Sequence, residues 1–244
     1  MEQLSEDFVF SCIQPRAQES HKGSYGHVLL AAGSRRYRGA ANLAAEGALR
    51  SGAGIVTLAA IEPVIAAAAA RLPECCFLPC PEGADGGISA GAAAELLAAR
   101  EKAGVLLMGP GMGNTSDTRA LVRALVDGAA CTVVLDADGL NATAALLAAG
   151  EALPRPAGSL ILTPHPGEMA RLTGLPVAEI EADRPEVAAR YAVEWGCTVV
   201  LKGHRTIVAA PDGRLWQNAT GNAGLARGGR SRIVAMSFCE PRSC

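Results

Sequence analysis

Four short apolar runs, each ending in a polar loop marked by glycine or proline, constrain this chain more than any other feature. Val105–Met108 runs into GPGMG (Gly109–Gly113), and Thr132–Leu135 into DADGLN (Asp136–Asn141). Leu160–Leu162 runs into TPHPGE (Thr163–Glu168), and Thr198–Leu201 into KGHRT (Lys202–Thr206). Unbroken runs of Val, Leu and Ile, with no alternation of polar residues, suit strands covered on both faces. Helical patterns lie between them. Gly39–Gly52 carries apolar residues at Ala41, Leu43, Ala44, Ala48 and Leu49, and Asp117–Asp127 has similar spacing. Alternating strands and helices joined by short loops predict a mainly parallel sheet with helices on both faces, an α/β fold.

The rest of the chain fits the same scheme. His27–Ala32 and Ile55–Ala60 read as further strands, and Pro63–Leu72 as a helix rich in alanine. Ser89 reads as the N-cap of a helix reaching Arg100. Two helical stretches separated by Asp183 follow TPHPGE and end at Trp195. Ile207–Ala210 and Arg214–Gln217, joined by PDG, read as a hairpin. No linker rich in Pro, Gly or Ser divides the chain, and no internal repeat is visible, so 1–229 is expected to be one domain.

Composition narrows the partners. Half of the 244 residues are hydrophobic but only 4% are aromatic, which suits aliphatic helices on a buried sheet. The net charge of −2 gives no reason to expect nucleic acid or an acidic membrane surface, and points to a small molecule. No apolar stretch reaches the ~20 residues of a spanning helix. The opening MEQLSEDFVFSC has acids where a signal peptide has basic residues, so a cytoplasmic protein is expected. Among the eight cysteines, the Cys75, Cys76 and Cys80 group lacks companions at metal-ligand spacing. Cys131 and Cys197 open apolar runs. Reduced, mostly buried thiols are expected.

The four loops lie where ligands bind an open parallel sheet, outside the C-terminal ends of its strands. GPGMG offers backbone amides with no side chain in the way, yet lacks the Lys and hydroxyl of a P-loop. In DADGLN, Asp136 and Asp138 point in different directions. Asp136 either holds Mg²⁺ through water or orders a phosphate, or else the pair serves the helix opened by Asn141. His165 sits between two prolines that stiffen its backbone, which favours a ligand contact, while Glu168 suits the first turn of the next helix. Lys202 is a natural neutraliser of phosphate charge, and His204 and Arg205 fit a solvated hairpin base equally well. NATGNAGLARGG (Asn218–Gly229) is long, Gly-rich and free of acids, as a loop leading to an anion-binding helix N-terminus should be.

From about Ile13 to Gly229 these segments, in this order, resemble the NAD(P)H-hydrate dehydratase family. HKGSYGHVLLAAGS (21–34) and RGAANLAAEGALRSGAGIVTLA (38–59) resemble its opening segments, and VLDADGLNA, ILTPHPGEMARLTG, VVLKGHRT and NATGNAGLARGG its later ones. The resemblance implies a ribokinase-like fold. It also implies an enzyme that uses ADP, the bacterial type, or ATP with Mg²⁺ to phosphorylate the hydroxyl of a hydrated nicotinamide, after which loss of phosphate restores NADH or NADPH. By resemblance, Ala40, Gly111, Gly113 and His165 would contact the hydrated dinucleotide, and Lys202, Gly203, His204, Arg205, Thr206 and Gly229 the nucleotide. A separate epimerase would interconvert the two forms of the hydrate, and a homo-oligomer is expected from the family. A related small-molecule kinase, such as a hydroxyethylthiazole-like kinase, and a non-catalytic nucleotide-binding remnant are the alternatives.

One departure matters. After GG the family pattern continues with Thr or Ser, Gly, then an aspartate expected to act as base, then an apolar helix. Here Gly229 is followed by Arg230, Ser231 and Arg232, so the base position holds a permanent cation. The motif and the following helix fail at one point. Residues 230–244 therefore read as an aberrant, frameshifted tail on a C-terminally truncated fold, the alternative being a genuinely divergent protein with a shortened terminus, and no catalytic residue can be assigned at that position.

Overall fold

The computed structural model describes residues 1–12 and 15–220. Gly229, Arg232, Cys239, Cys244, most of NATGNAGLARGG and the expected aberrant tail lie outside the described residues.

The elements run β1 (Glu2–Gln3), α1 (Glu6–Cys12), β2 (His27–Ala31), α2 (Arg38–Arg50), β3 (Ile55–Ile61), α3 (Glu62–Ala69), β4 (Cys76–Cys80), α4 (Ala93–Arg100), β5 (Val105–Met108) and α5 (Ser116–Val126). They continue with β6 (Thr132–Leu135), α6 (Asp138–Ala148), β7 (Leu160–Leu162), α7 (Pro166–Thr173), α8 (Val177–Ala182), α9 (Arg184–Trp195), β8 (Thr198–Leu201), β9 (Ile207–Ala209) and β10 (Leu215–Gln217). All ten strands form one sheet in the order β1-β10-β9-β8-β7-β6-β5-β2-β3-β4. Pairing is parallel from β8 across to β4, while β9 is antiparallel to both β8 and β10.

The strand order reverses between β2 and β5. From β2 the chain winds outward through β3 to β4, and from β5 it winds the other way to β8. Right-handed crossovers therefore place α2 and α3 on one face and α5 to α9 on the other. α2 packs on α3, and α4, α5, α6 and α7 form a continuous series of neighbours. The sheet interior is aliphatic, with Leu29, Leu30, Leu58, Leu106, Leu107 and Leu135 almost wholly excluded from solvent.

The expected strands and helices appear with small shifts, and the differences have physical causes. The segment between TPHPGE and Asp183 is two helices rather than one, because Gly174 adopts a left-handed conformation (φ 76°) and Pro176 follows it. Ser89 caps a 3₁₀ turn, Ala90–Ala92, which then leads into α4. The helix after DADG begins at Asp138 rather than Asn141. β4 escaped detection because CFLPC contains proline, but β4 is an edge strand, where proline is tolerated. The cysteines at 12, 75, 76, 80, 131 and 197 are free thiols. Cys12 and Cys76 are exposed rather than buried.

Candidate functional site

Because β5, β6, β7 and β8 are adjacent and parallel, GPGMG, DADGLN, TPHPGE and KGHRT stand side by side along one edge of the sheet. The loop after β2 joins them at the point where the strand order reverses, the place where an open α/β sheet forms a crevice.

At that crevice the β2 and β5 loops are tied together, with the Gly33 N–H donating to the Pro110 carbonyl at 2.8 Å. Gly111 has φ 69°, and a Cβ there would lie 2.6 Å from the Ala40 Cβ and 2.8 Å from that of Tyr37. Ala40 and Gly111, two expected contacts of the dinucleotide, are thus packed against each other. A side chain at Gly109 would run into the Asp136 carbonyl and the Gly139 amide. Asp138 accepts the Gly113 N–H at 2.9 Å and the Asn141 side-chain amide at 3.3 Å. The two aspartates do diverge, but Asp138 braces GPGMG instead of capping its helix.

The second part of the edge is a buried charge cluster. Asp136, at the end of β6, is 1% exposed, and its Oδ1 accepts from the Lys202 ammonium at 2.7 Å and the Thr163 hydroxyl at 3.0 Å. Lys202 is itself buried, with Glu168 Oε2 3.7 Å from its Nζ. Its backbone N–H donates to the Pro164 carbonyl at 2.8 Å. The expected neutraliser of phosphate therefore points inward. Asp136 fits magnesium poorly, since one carboxylate oxygen is already taken and its charge is balanced by an ammonium. No group of three or more His, Cys, Asp or Glu among the described residues has a metal-binding arrangement.

His165 opens α7 through a reciprocal cap. Its Nδ1 accepts the Gly167 and Glu168 N–H groups at 3.0 and 3.3 Å, and Glu168 Oε2 accepts the His165 N–H at 2.8 Å. An Nδ1 that accepts twice carries no proton, so the neutral ring has its hydrogen on Nε2. Burial, and then the charge of Lys202, hold the His165 pKa below its ordinary value. Burial raises that of Glu168, against the opposing pull of Lys202. The first-turn role expected of Glu168 is present. Thr163 and Asp138 were missed as site residues, although both lie inside the loops that drew attention.

KGHRT forms the turn between β8 and β9. Arg205 has φ 59°, the Thr206 hydroxyl donates to the Gly203 carbonyl at 3.2 Å, and the Arg184 guanidinium contacts the His204 carbonyl. His204 and Arg205 are solvated. The Asn218 N–H donates to the Thr206 carbonyl at 2.9 Å, so the acid-free loop sets out directly beside this turn.

Comparison with known proteins shows the family and the fold. The bifunctional NAD(P)H-hydrate repair enzyme of Moorella thermoacetica is 42% identical over 221 residues, covering 90% of this chain and 41% of that protein. The chain thus spans well under half of such bifunctional relatives. The ADP-dependent (S)-NAD(P)H-hydrate dehydratase of Bacillus subtilis is 40% identical over 241 residues, covering 97% of this chain and 81% of that one. A crystal structure of the ADP/ATP-dependent NAD(P)H-hydrate dehydratase from Bacillus subtilis, co-crystallized with ATP/Mg²⁺, superposes with a TM-score of 0.81 at 36% identity. The match covers 96% of this chain and 78% of that one. With the family's sequence profile matching residues 28–235, the chain belongs to the NAD(P)H-hydrate dehydratase family and has its ribokinase-like fold.

Proposed function

We propose that this fold serves the ADP- or ATP-dependent dehydration of the S form of NAD(P)H hydrate to NAD(P)H, a hydro-lyase reaction of cofactor repair. The observation that carries the reading is the single sheet edge on which the packed Ala40–Gly111 crevice, His165 and the KGHRT turn stand in order. The dinucleotide would lie across the crevice between the β2 and β5 loops, with Ala40, Gly111, Gly113 and His165 along it. The Gly203–Thr206 turn and Gly229 would face the nucleotide. When bound, the nucleotide supplies the phosphoryl group that turns the hydrate's hydroxyl into a leaving group. The His165 Nε2–H donates a hydrogen bond to the substrate but takes no proton, since Nδ1 is engaged. Mg²⁺ would be held by phosphate oxygens rather than by Asp136.

The same reading includes a cytoplasmic, homo-oligomeric protein that works with an NAD(P)H-hydrate epimerase. The bifunctional repair enzymes among the relatives support the link to such a partner. No helix among the described residues is long and apolar enough to cross a membrane. Calorimetric titration with ADP and with NADPH hydrate tests the function directly. Both are expected to bind, and failure of both overturns it. Arg232 stands at the expected base position, so binding with little or no turnover is the outcome expected of this chain.

A further inference from the structure

We propose that Lys202 is a positioning residue: its buried ammonium ties the ends of β6, β7 and β8 together, fixing His165 as a hydrogen-bond donor, and does not touch the nucleotide. The argument begins with charge burial. Asp136 is 1% exposed, and its Oδ1 has Lys202 at 2.7 Å and Thr163 at 3.0 Å as partners. If the Lys202 side chain swung out to a phosphate, it would leave that carboxylate buried without a cation, a strongly unfavourable state. Glu168, 3.7 Å from Nζ and also buried, adds a second carboxylate to the same ammonium.

The anchored strand end acts on His165 by two routes. The Lys202 N–H holds the Pro164 carbonyl, immediately before His165. The Lys202 ammonium faces Glu168, whose Oε2 accepts the His165 N–H and whose own N–H reaches the imidazole Nδ1. The cluster thus sets both the backbone and the ring of a side chain that is half exposed to solvent. Only the identity of the ligand that meets Nε2–H rests on the dehydratase reading.

The test compares K202M, D136N, the double variant and T163V with the unaltered chain. Imidazole nitrogen NMR, with the His165 signal assigned by H165N, reads the ring directly. The unaltered chain is expected to show unprotonated Nδ1 and protonated Nε2, and K202M and D136N are both expected to lose that state. Calorimetry should show NADPH hydrate binding weakened about tenfold in each single variant. The double variant should be no weaker, and ADP affinity should stay within about threefold throughout. T163V removes the hydroxyl shared between Asp136 Oδ1 and the Leu135 carbonyl and no charge, and should weaken hydrate binding in the same direction if a charge variant fails to fold. Loss of ADP affinity in K202M with D136N unaffected would overturn the proposal, as would an unchanged imidazole in K202M. If the unaltered chain binds neither ligand, the dehydratase reading fails and the imidazole signals alone decide this one.

Discussion

His165 shows how a single ring nitrogen links stability to pH. Its cap on α7 requires an unprotonated Nδ1, so protonation removes two hydrogen bonds at once. Because the folded-state pKa lies below the ordinary value of 6.5, the contribution is complete above that pH and is lost as pH falls through the lower folded value. Losing a helix cap costs about 1 kcal/mol. Urea unfolding between neutral and mildly acid pH should show a decline that H165N removes, since asparagine can cap without titrating. An unchanged acid slope in H165N would refute this account. Glu168 acts in the opposite sense: its raised folded pKa gives stability at low pH that declines as pH rises through that value, and E168Q should flatten that part of the curve. The thiols provide a separate check. Burial pushes Cys75 up to about 11 and Cys80 and Cys197 up to about 12. Cys12 and Cys76 are exposed. In a native thiol titration at mildly alkaline pH, C12S and C76S should each remove one fast-reacting equivalent, whereas C80S and C197S should remove none.

At the scale of elements, β5, β6, β7 and β8 were legible because a strand buried on both faces must be an uninterrupted apolar run, and the loops that end them because turns need glycine or proline. β4 was not, because Pro79 breaks that pattern and only its edge position makes it acceptable. α1 was equally hidden: it buries none of its residues, so no amphipathic pattern announces it. The site was legible as four loops but not as contacts. Nothing local signals that Lys202 meets Asp136, 66 residues away, since that pairing is made by the order of strands in the sheet. Glycines of one loop should also differ sharply in their tolerance of a methyl group. At Gly109, with φ 120°, alanine meets backbone atoms of Asp136 and Gly139, whereas at Gly113, with φ 90°, the nearest atom is the Thr115 Cγ2 at 3.5 Å. G113A should cost only the conformational strain, about 1 kcal/mol, and G109A at least twice that. Urea midpoints at constant m-value measure both, and equal losses would show that the loop yields more easily than its packing implies.

For the whole molecule, the distinction is between a binding scaffold and a turnover catalyst. The sheet edge and the buried cluster are built by residues before 221, and the proposed binding of ligands depends on them and, for the nucleotide, on Gly229. On the proposed reading, turnover would depend on the position that Arg232 occupies, where a guanidinium cannot accept the proton of an attacking hydroxyl. Absence of a positioned base costs about 10²–10⁴-fold in rate. The chain as written should therefore show very slow ADP-dependent recovery of nicotinamide absorbance from NADPH hydrate while still binding both ligands. R232D alone restores a carboxylate but not the apolar helix expected after it, so it should recover only part of the rate. A gene in which the frame after the Gly229 codon is reset to Ser-Gly-Asp and its following helix should recover the most. That ordering separates a damaged copy from a divergent one. If the chain as written already works at a rate near that of an intact relative, the residues after Gly229 are a working terminus and another group supplies the base.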